Sequence, residues 1–240
     1  MRADVTDLSK SPDRIAGMFD AIASRYDFLN HLLSAGVDRR WRRRAVASLH
    51  LSGGESVLDL CTGTGDLAMA AVRAHPSAAR VIGVDFAGAM LQVGRRKLLR
   101  AGLTDRIALV RGDATRLPIA SASVDALTIA FGIRNVEQTA AACAEMYRVL
   151  RPDGRLAILE FAVPTTPGVS TVYLWYLNRV LPWVGRLVSR HNAAYGYLPA
   201  SIGAFTSPGD FVKILRQAGF RDIAPVPLTF GSVILYTART

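Results

Sequence analysis

Three carboxylates stand where strands should end. Asp59 lies in Glu55-Ser-Val-Leu-Asp-Leu-Cys-Thr-Gly-Thr-Gly65, Asp85 closes Arg80-Val-Ile-Gly-Val-Asp85, and Asp113 follows Ile107-Ala-Leu-Val110 in Gly112-Asp113-Ala114. Gly63 and Gly65 come just after Asp59, and their missing Cβ atoms let a ligand approach the backbone. A helix opening at Asp66 would meet that ligand with free N–H groups. The spacing Asp59-x-x-x-Gly63-x-Gly65 differs from the Gly-x-Gly-x-x-Gly of a dinucleotide site, although Ala68 occupies the place of the third glycine, so spacing alone leaves that site open. A carboxylate at Asp59 suits a cationic amino group and repels a pyrophosphate. Asp85, about 20 residues past the turn, is placed to hold ribose hydroxyls. Asp113 can accept from an adenine amine. Any one of these acids could equally be a helix cap; three at successive strand ends argue for a nucleoside-like ligand.

The elements that must carry them follow from periodicity. Apolar runs predict strands at Val57–Leu60, Arg80–Asp85, Ile107–Val110, Val124–Phe131 and Arg155–Phe161. Helical spacing predicts helices at Asp66–Ala74, Ala89–Ala101 and Gln138–Leu150 between them, with Arg151-Pro-Asp-Gly154 as a closing loop. Strands alternating with helices give a parallel, doubly wound α/β sheet with its ligand at the strands' C-terminal ends. A helix starting at Pro12, a turn at Asp27–His31 and a helix over Val37–Leu49 precede this core. After it, Pro164-Thr-Thr-Pro-Gly168 leads into an apolar, aromatic stretch, Val169–Ser189, kinked or split at Pro182. The chain then returns to pattern: a helix from Pro208 ended by Gly219, and two closing strands, Phe220–Val226 and Leu228–Thr237, as a hairpin-like pair on the sheet edge.

The chain has 240 residues, half of them hydrophobic, which suits one α/β domain with a decorated edge. Its two cysteines, Cys61 and Cys143, have no metal spacing, so a reducing, cytoplasmic setting and no metal are expected. Met1–Lys10 lacks an apolar core, so no secretory leader is expected. A net charge of +10 points towards anionic surfaces, either nucleic acid or a membrane face.

Nucleic acid is disfavoured at the fourth strand. Phe131-Gly-Ile-Arg-Asn135 follows it, where base N-methylation usually brings an Asn/Asp-Pro-Pro-aromatic motif, and neither cysteine follows a proline as cytosine C5 chemistry needs. The order of acids and glycines resembles the class I S-adenosylmethionine-dependent methyltransferases. The resemblance narrows with Phe19-Asp20, Tyr26-Asp27-x-x-Asn30, Trp41-Arg42, Gly83-Val-Asp-Phe86, Gly112-Asp-Ala-x-x-Leu-Pro118, Phe131-Gly-Ile-Arg-Asn-Val136, Glu160-Phe161 and Tyr197-Leu-Pro-x-Ser201. Together these resemble the ubiquinone/menaquinone biosynthesis C-methyltransferases over residues 13–238.

That resemblance implies a Rossmann-like seven-stranded sheet with its last strand antiparallel. It divides the chain into an N-terminal helical cap (1–50), the cofactor-binding core (51–161), a helical insertion facing substrate or membrane (162–207), and a closing helix and strands (208–240). It implies methyl transfer from S-adenosylmethionine to a ring carbon of a polyprenylated hydroquinone: demethylmenaquinol, or alternatively the ubiquinone-pathway benzoquinol or another small aromatic acceptor. The cofactor set becomes Asp59, Gly63, Thr64, Gly65, Asp85, Asp113 and Ala114. Arg134 and Asn135 become the catalytic pair, the first stabilising a phenolate and the second orienting it. Tyr26, Asp27 and His31 are candidates for a lid over the cofactor, and His31 for a base. Ala130 and Thr206 depart from the family's usual Ser and Pro.

A polyprenyl substrate gives the greasy segment a meaning. Trp175, Trp183, Arg179, Arg186 and Arg190 fall in it, and Arg39-Arg-Trp-Arg-Arg-Arg44 is a second basic stretch with Trp41 as a candidate interfacial anchor. Both are expected at the inner face of the cell membrane as a peripheral contact. Ordinary cap packing or a homo-oligomer contact are the alternatives.

Overall fold

The computed structural model describes residues 10–75, 80–180 and 192–240. Three helices come first: α1 (Pro12–Ile22), α2 (Tyr26–Leu33) and α3 (Asp38–Ser48). The core follows as β1 (Ser56–Leu60), α4 (Asp66–Ala74), β2 (Arg80–Asp85), α5 (Gly88–Ala101), β3 (Ile107–Arg111), β4 (Val124–Ala130), a 3₁₀ turn (Ile133–Asn135), α6 (Thr139–Val149) and β5 (Leu150–Phe161). The last part holds α7 (Val169–Trp175) running into a π-helical turn (Tyr176–Val180), α8 (Asn192–Ala204), α9 (Pro208–Gln217), β6 (Arg221–Leu228) and β7 (Val233–Arg239).

The seven strands make one sheet in the order β3-β2-β1-β4-β5-β7-β6. β1 pairs in parallel with both β2 and β4, so the strand order reverses beside it and a crevice opens at the C-terminal ends of β1 and β4. β7 runs antiparallel to β5 and β6.

Central strands are apolar on both faces because both are covered. In β5, Leu156 and Ile158 join one core with Met146 of α6 and Phe211 of α9. Ala157 and Leu159 join the other, with Val46 of α3 and Leu67 and Val72 of α4. Each buried leucine or isoleucine contributes about 1.5–3 kcal/mol. The outer edge is β6, where Pro225 and Pro227 blunt the open hydrogen-bonding row. Ser207 caps α9 by accepting the Asp210 N–H at 3.2 Å.

The parallel sheet and its antiparallel last strand agree with the sequence reading, and four local expectations change. The closing strands are not both at the edge: β7 lies inside, between β5 and β6, because its run Val233–Tyr236 is buried on both faces and needs a strand on each side. Arg151–Gly154 is not a loop after α6 but part of β5, where the register against β4 jumps from Val124↔Leu150 to Ala126↔Arg155. The turn expected at Asp27–His31 is the body of α2, and the turn itself falls at Ala23–Arg25. Trp41 is no interfacial anchor. It is buried, donates from Nε1 to Thr229 Oγ1 at 2.9 Å, and meets Phe131 and Phe161 edge-on. Arg42 is likewise buried, leaving Arg39, Arg40, Arg43 and Arg44 as the exposed part of that run. Pro182, Trp183, Arg186 and Arg190 lie outside the described residues.

Candidate active site

The β1–α4 turn is built around a buried acid. Asp59 accepts from Thr62 Oγ1 at 2.5 Å and from Thr128 Oγ1 of β4 at 2.8 Å, and also takes a bond from the Ala68 backbone of α4. Burial is the largest influence on its carboxyl and pushes the pKa up to about 6, against those hydrogen bonds. Above the acid the backbone turns through positive φ at Cys61 (55°), Gly63 (56°) and Gly65 (83°). Asp85 ties the turn to its neighbour: one carboxylate oxygen accepts the Gly63 N–H at 2.7 Å and the other the Ala87 N–H at 2.8 Å. Burial raises its pKa too, opposed by these backbone bonds. Thr64 is buried to one side, where it donates to Asp27 Oδ1 at 2.5 Å. Lys97 of α5 binds Asp27 at 2.6 Å, Asp66 at 2.5 Å and Thr64 at 3.0 Å, fastening α2 onto the turn.

The crevice holds two cavities. The first, about 980 Å³ and open at its mouth, is lined by Gly63, Asp85, Phe86, Asp113, Ala114 and Asn135 among others. Asp113 Oδ1 accepts from the Thr115 N–H and hydroxyl, both at 2.8 Å. A smaller recess of about 340 Å³ adjoins the turn and is lined by Asp59, Gly63, Thr64 and Asp66. The second cavity, about 1090 Å³, is walled by Trp41, Phe131, Phe161, Tyr173, Tyr176 and Tyr197, with Asp38, Arg42 and Arg134 as its charged members. Phe19, Tyr26 and Phe131 line both large cavities and form the wall between them.

Gly132 explains why the wall stands where it does. A Cβ there would lie 2.3 Å from Cys61 Cβ, so only glycine lets the β4 end approach the β1 turn. Phe131 then takes φ 61° and stacks on Phe161 at 4.3 Å. The next two residues diverge. Arg134 lines the aromatic cavity, whereas Asn135 lines the first and accepts from the Tyr197 hydroxyl at 3.1 Å. Arg134 donates from Nη1 to Glu160 Oε1 at 2.8 Å and to the Phe131 carbonyl, and from Nε to Ser201 Oγ at 3.3 Å. Its Nη2 has no hydrogen bond among the described residues.

A second charged group closes the far side. Asp38 is buried and accepts from His31 Nδ1 at 2.7 Å, from Ser34 Oγ at 2.8 Å and from Arg42 Nη1. Burial by itself would raise its carboxyl; the Arg42 charge, the Ser34 and Arg42 hydrogen bonds and His31 together hold it below the usual range. Asp38 lines the cavity and His31 stands behind it.

The ubiE/COQ5 methyltransferase family matches residues 7–239. The chain belongs to that family. It is 48% identical over 220 residues to the ubiquinone/menaquinone biosynthesis C-methyltransferase UbiE of Syntrophotalea carbinolica, covering 92% of this chain and 91% of the relative. It is 40% identical over 229 residues to the demethylmenaquinone methyltransferase of Bacteroides fragilis, covering 95% and 93%. A solved SAM-dependent methyltransferase from Aquifex aeolicus shares the fold, with a TM-score of 0.61 and 18% identity, covering 82% of this chain and 88% of that one.

Every residue of the sequence-derived cofactor set lies at this crevice. Gly63, Asp85, Asp113 and Ala114 line the first cavity; Asp59, Gly63 and Thr64 line the recess; Gly65 caps α4 in a left-handed conformation. Sequence reasoning missed Asp38, Lys97, Tyr173 and Tyr197. Lys97 meets Asp66 from 31 residues away and Tyr197 meets Asn135 from 62, so no local spacing marks them, whereas Asp38 has Ser34 and Arg42 four residues to either side, a helical spacing that could have marked it.

Proposed function

We propose that this S-adenosylmethionine-dependent C-methyltransferase of quinone biosynthesis acts on demethylmenaquinol, with Arg134 and Asn135 at the reacting ring. The observation that carries the reading is an aromatic-walled cavity sharing Phe19, Tyr26 and Phe131 with the carboxylate-bearing crevice. Its aromatic walls suit a flat, apolar ring. Of the relatives named above, that of Bacteroides fragilis is named for demethylmenaquinone alone and that of Syntrophotalea carbinolica for both quinones.

The residues of the crevice fit the donor. Asp85 spends one acceptor site of each oxygen on backbone N–H groups, which leaves capacity for ribose hydroxyls. Asp113 keeps Oδ2 without a partner among the described residues, available to an adenine amine. In the recess Asp66 is already paired with Lys97 at 2.5 Å and Arg42 also contributes to the lining, so Asp59 is the acid left for a cationic amino group. When bound, S-adenosylmethionine supplies a methyl group on a positively charged sulfur. The protein's part is positioning and charge. Arg134 offers Nη2 to a ring oxygen that becomes anionic, Asn135 is held by Tyr197 at the boundary between the cavities, and the Phe131–Phe161 stack fixes the ring plane.

Peripheral membrane contact belongs to the same proposal. α7 turns Tyr173 inward to the aromatic cavity and leaves Val172, Leu174 and Trp175 exposed. Among the described residues no helix is long and apolar enough to cross a membrane. A lipid-facing α7 would let a prenyl tail leave the cavity without crossing water.

The test is methyl transfer by the purified enzyme to demethylmenaquinol and to 2-polyprenyl-6-methoxy-1,4-benzoquinol of equal chain length. Higher kcat/KM for the naphthoquinol is expected; the reverse order overturns the choice of acceptor. Co-sedimentation with anionic vesicles should weaken when Val172, Leu174 and Trp175 are replaced by serine, and unchanged partitioning removes α7 from the contact.

A further inference from the structure

Tyr173 carries a buried hydroxyl that nothing in the protein satisfies. Its oxygen is shielded from solvent and has no hydrogen-bond partner among the described residues. Leaving a hydroxyl in that condition costs about 1–3 kcal/mol, so such groups in folded proteins ordinarily have a partner or a function. The hydroxyl belongs to a residue lining the aromatic cavity, beside Phe131, Phe161 and Arg134. Burial pushes its pKa well up, opposed by the nearby Arg134 charge, so it stays a protonated donor across the working pH range. Arg134 lines the same cavity, and its guanidinium is only partly used: Nη1 and Nε are bonded, and Nη2 has no hydrogen bond among the described residues. Two residues of one cavity thus each keep a donor without a partner among the described residues, one neutral and one charged, which is the chemistry of a site for an oxygen that gains negative charge.

We propose that the Tyr173 hydroxyl donates to a ring oxygen of the acceptor and shares with Arg134 the charge that develops there. This rests on the aromatic-acceptor reading above. In the transfer, the ring O–H proton leaves to solvent and the electron pair of that bond stays on oxygen. The ring carbon then bonds to the methyl carbon while the carbon–sulfur bond breaks and its pair returns to sulfur. The hydrogen displaced from that carbon moves as a proton to the ring oxygen and restores the aromatic ring, so one proton is released in all. Charge on the ring oxygen is greatest before the carbon–carbon bond is complete. A donor fixed at that oxygen therefore favours the reactive phenolate over the phenol, and needs no rearrangement to do so.

The experiment is Tyr173→Phe, which removes one oxygen and leaves the ring packing. Thermal unfolding of the free enzyme should be unchanged or shifted upward, because an unpaired buried hydroxyl has been deleted. S-adenosylmethionine affinity by calorimetry should be unchanged. With demethylmenaquinol, kcat/KM should fall about 100-fold, with the alkaline shift of the pH profile that a less acidic bound quinol gives. A lowered unfolding temperature, or kcat/KM within twofold of the parent, overturns the proposal. A binding arm separates it from the acceptor reading: 1-naphthol affinity, measured by calorimetry above pH 9, should weaken about tenfold in the variant, about the loss of one hydrogen bond to a charged group. Equal naphthol affinity overturns the Tyr173 assignment. A parent enzyme that binds naphthol yet methylates no quinol overturns the acceptor reading and leaves the donor site standing.

Discussion

Glu160→Gln separates the two roles that Arg134 can have. Both partners are buried, and the carboxylate holds the arginine twice, through Nη1 at 2.8 Å and through the backbone N–H at 3.2 Å. Glutamine keeps the shape and one acceptor oxygen but removes the charge. A buried cation is then left uncompensated, which costs about 3–5 kcal/mol when a buried pair loses one member. The retained hydrogen bond brings the expectation to the lower end, about 3 kcal/mol. For a chain of this size that lowers Tm by about 6–12 °C. The assay is urea unfolding followed by tryptophan fluorescence, with the slope against denaturant checked for constancy. Replacing both residues by methionine should recover most of the loss, because neither charge then remains buried. The same double variant should be inactive towards a quinol, since Nη2 has gone with the guanidinium. A loss below about 1 kcal/mol in Glu160→Gln refutes the buried-pair reasoning. A double variant that folds and retains activity refutes a catalytic Arg134.

Three further outcomes follow from the geometry. Asp59 has its pKa raised from 3.8 to about 6, so the folded state binds a proton more tightly than the unfolded state; stability should fall as pH rises from about 4 to 6, by about 3 kcal/mol in all, and level off above. Asp59→Asn should abolish that slope in unfolding measurements across the window. Gly132→Ala sets a methyl 2.3 Å from Cys61 Cβ and should destabilise by about 1–3 kcal/mol while weakening S-adenosylmethionine binding in calorimetry, because both loops border the first cavity. Lys97→Met removes the bridge between Asp27, Thr64 and Asp66 and leaves two carboxylates facing each other; S-adenosylmethionine affinity should drop about fivefold, about 1 kcal/mol, with part of the loss restored at high salt.

Much of the scaffold was legible because its signals are local. Strand ends with acids, glycine turns and helical spacing each span fewer than about 15 residues, and backbone sterics read them the same way in any context. The sequence reading failed where neighbours in space are distant in the chain. Trp41 looked like an anchor within an arginine run, yet the ring packs edge-on against the stacked Phe131 and Phe161 and reaches Thr229, 188 residues away. Arg42 looked like one more solvated charge, yet Asp38 and the fold of α3 against α4 bury it.

The sequence by itself determined the class of sheet, the turn that receives a nucleoside, and the family to which the motif order points. Tertiary structure alone decided how the site is divided. Arg134 and Asn135 are adjacent in sequence, but the 3₁₀ turn that carries them sends one into each cavity, because successive side chains of a tight turn diverge. Glu160, Ser201 and Tyr197 fix those directions from β5 and α8, and no spacing along the chain encodes a partner that only packing brings near.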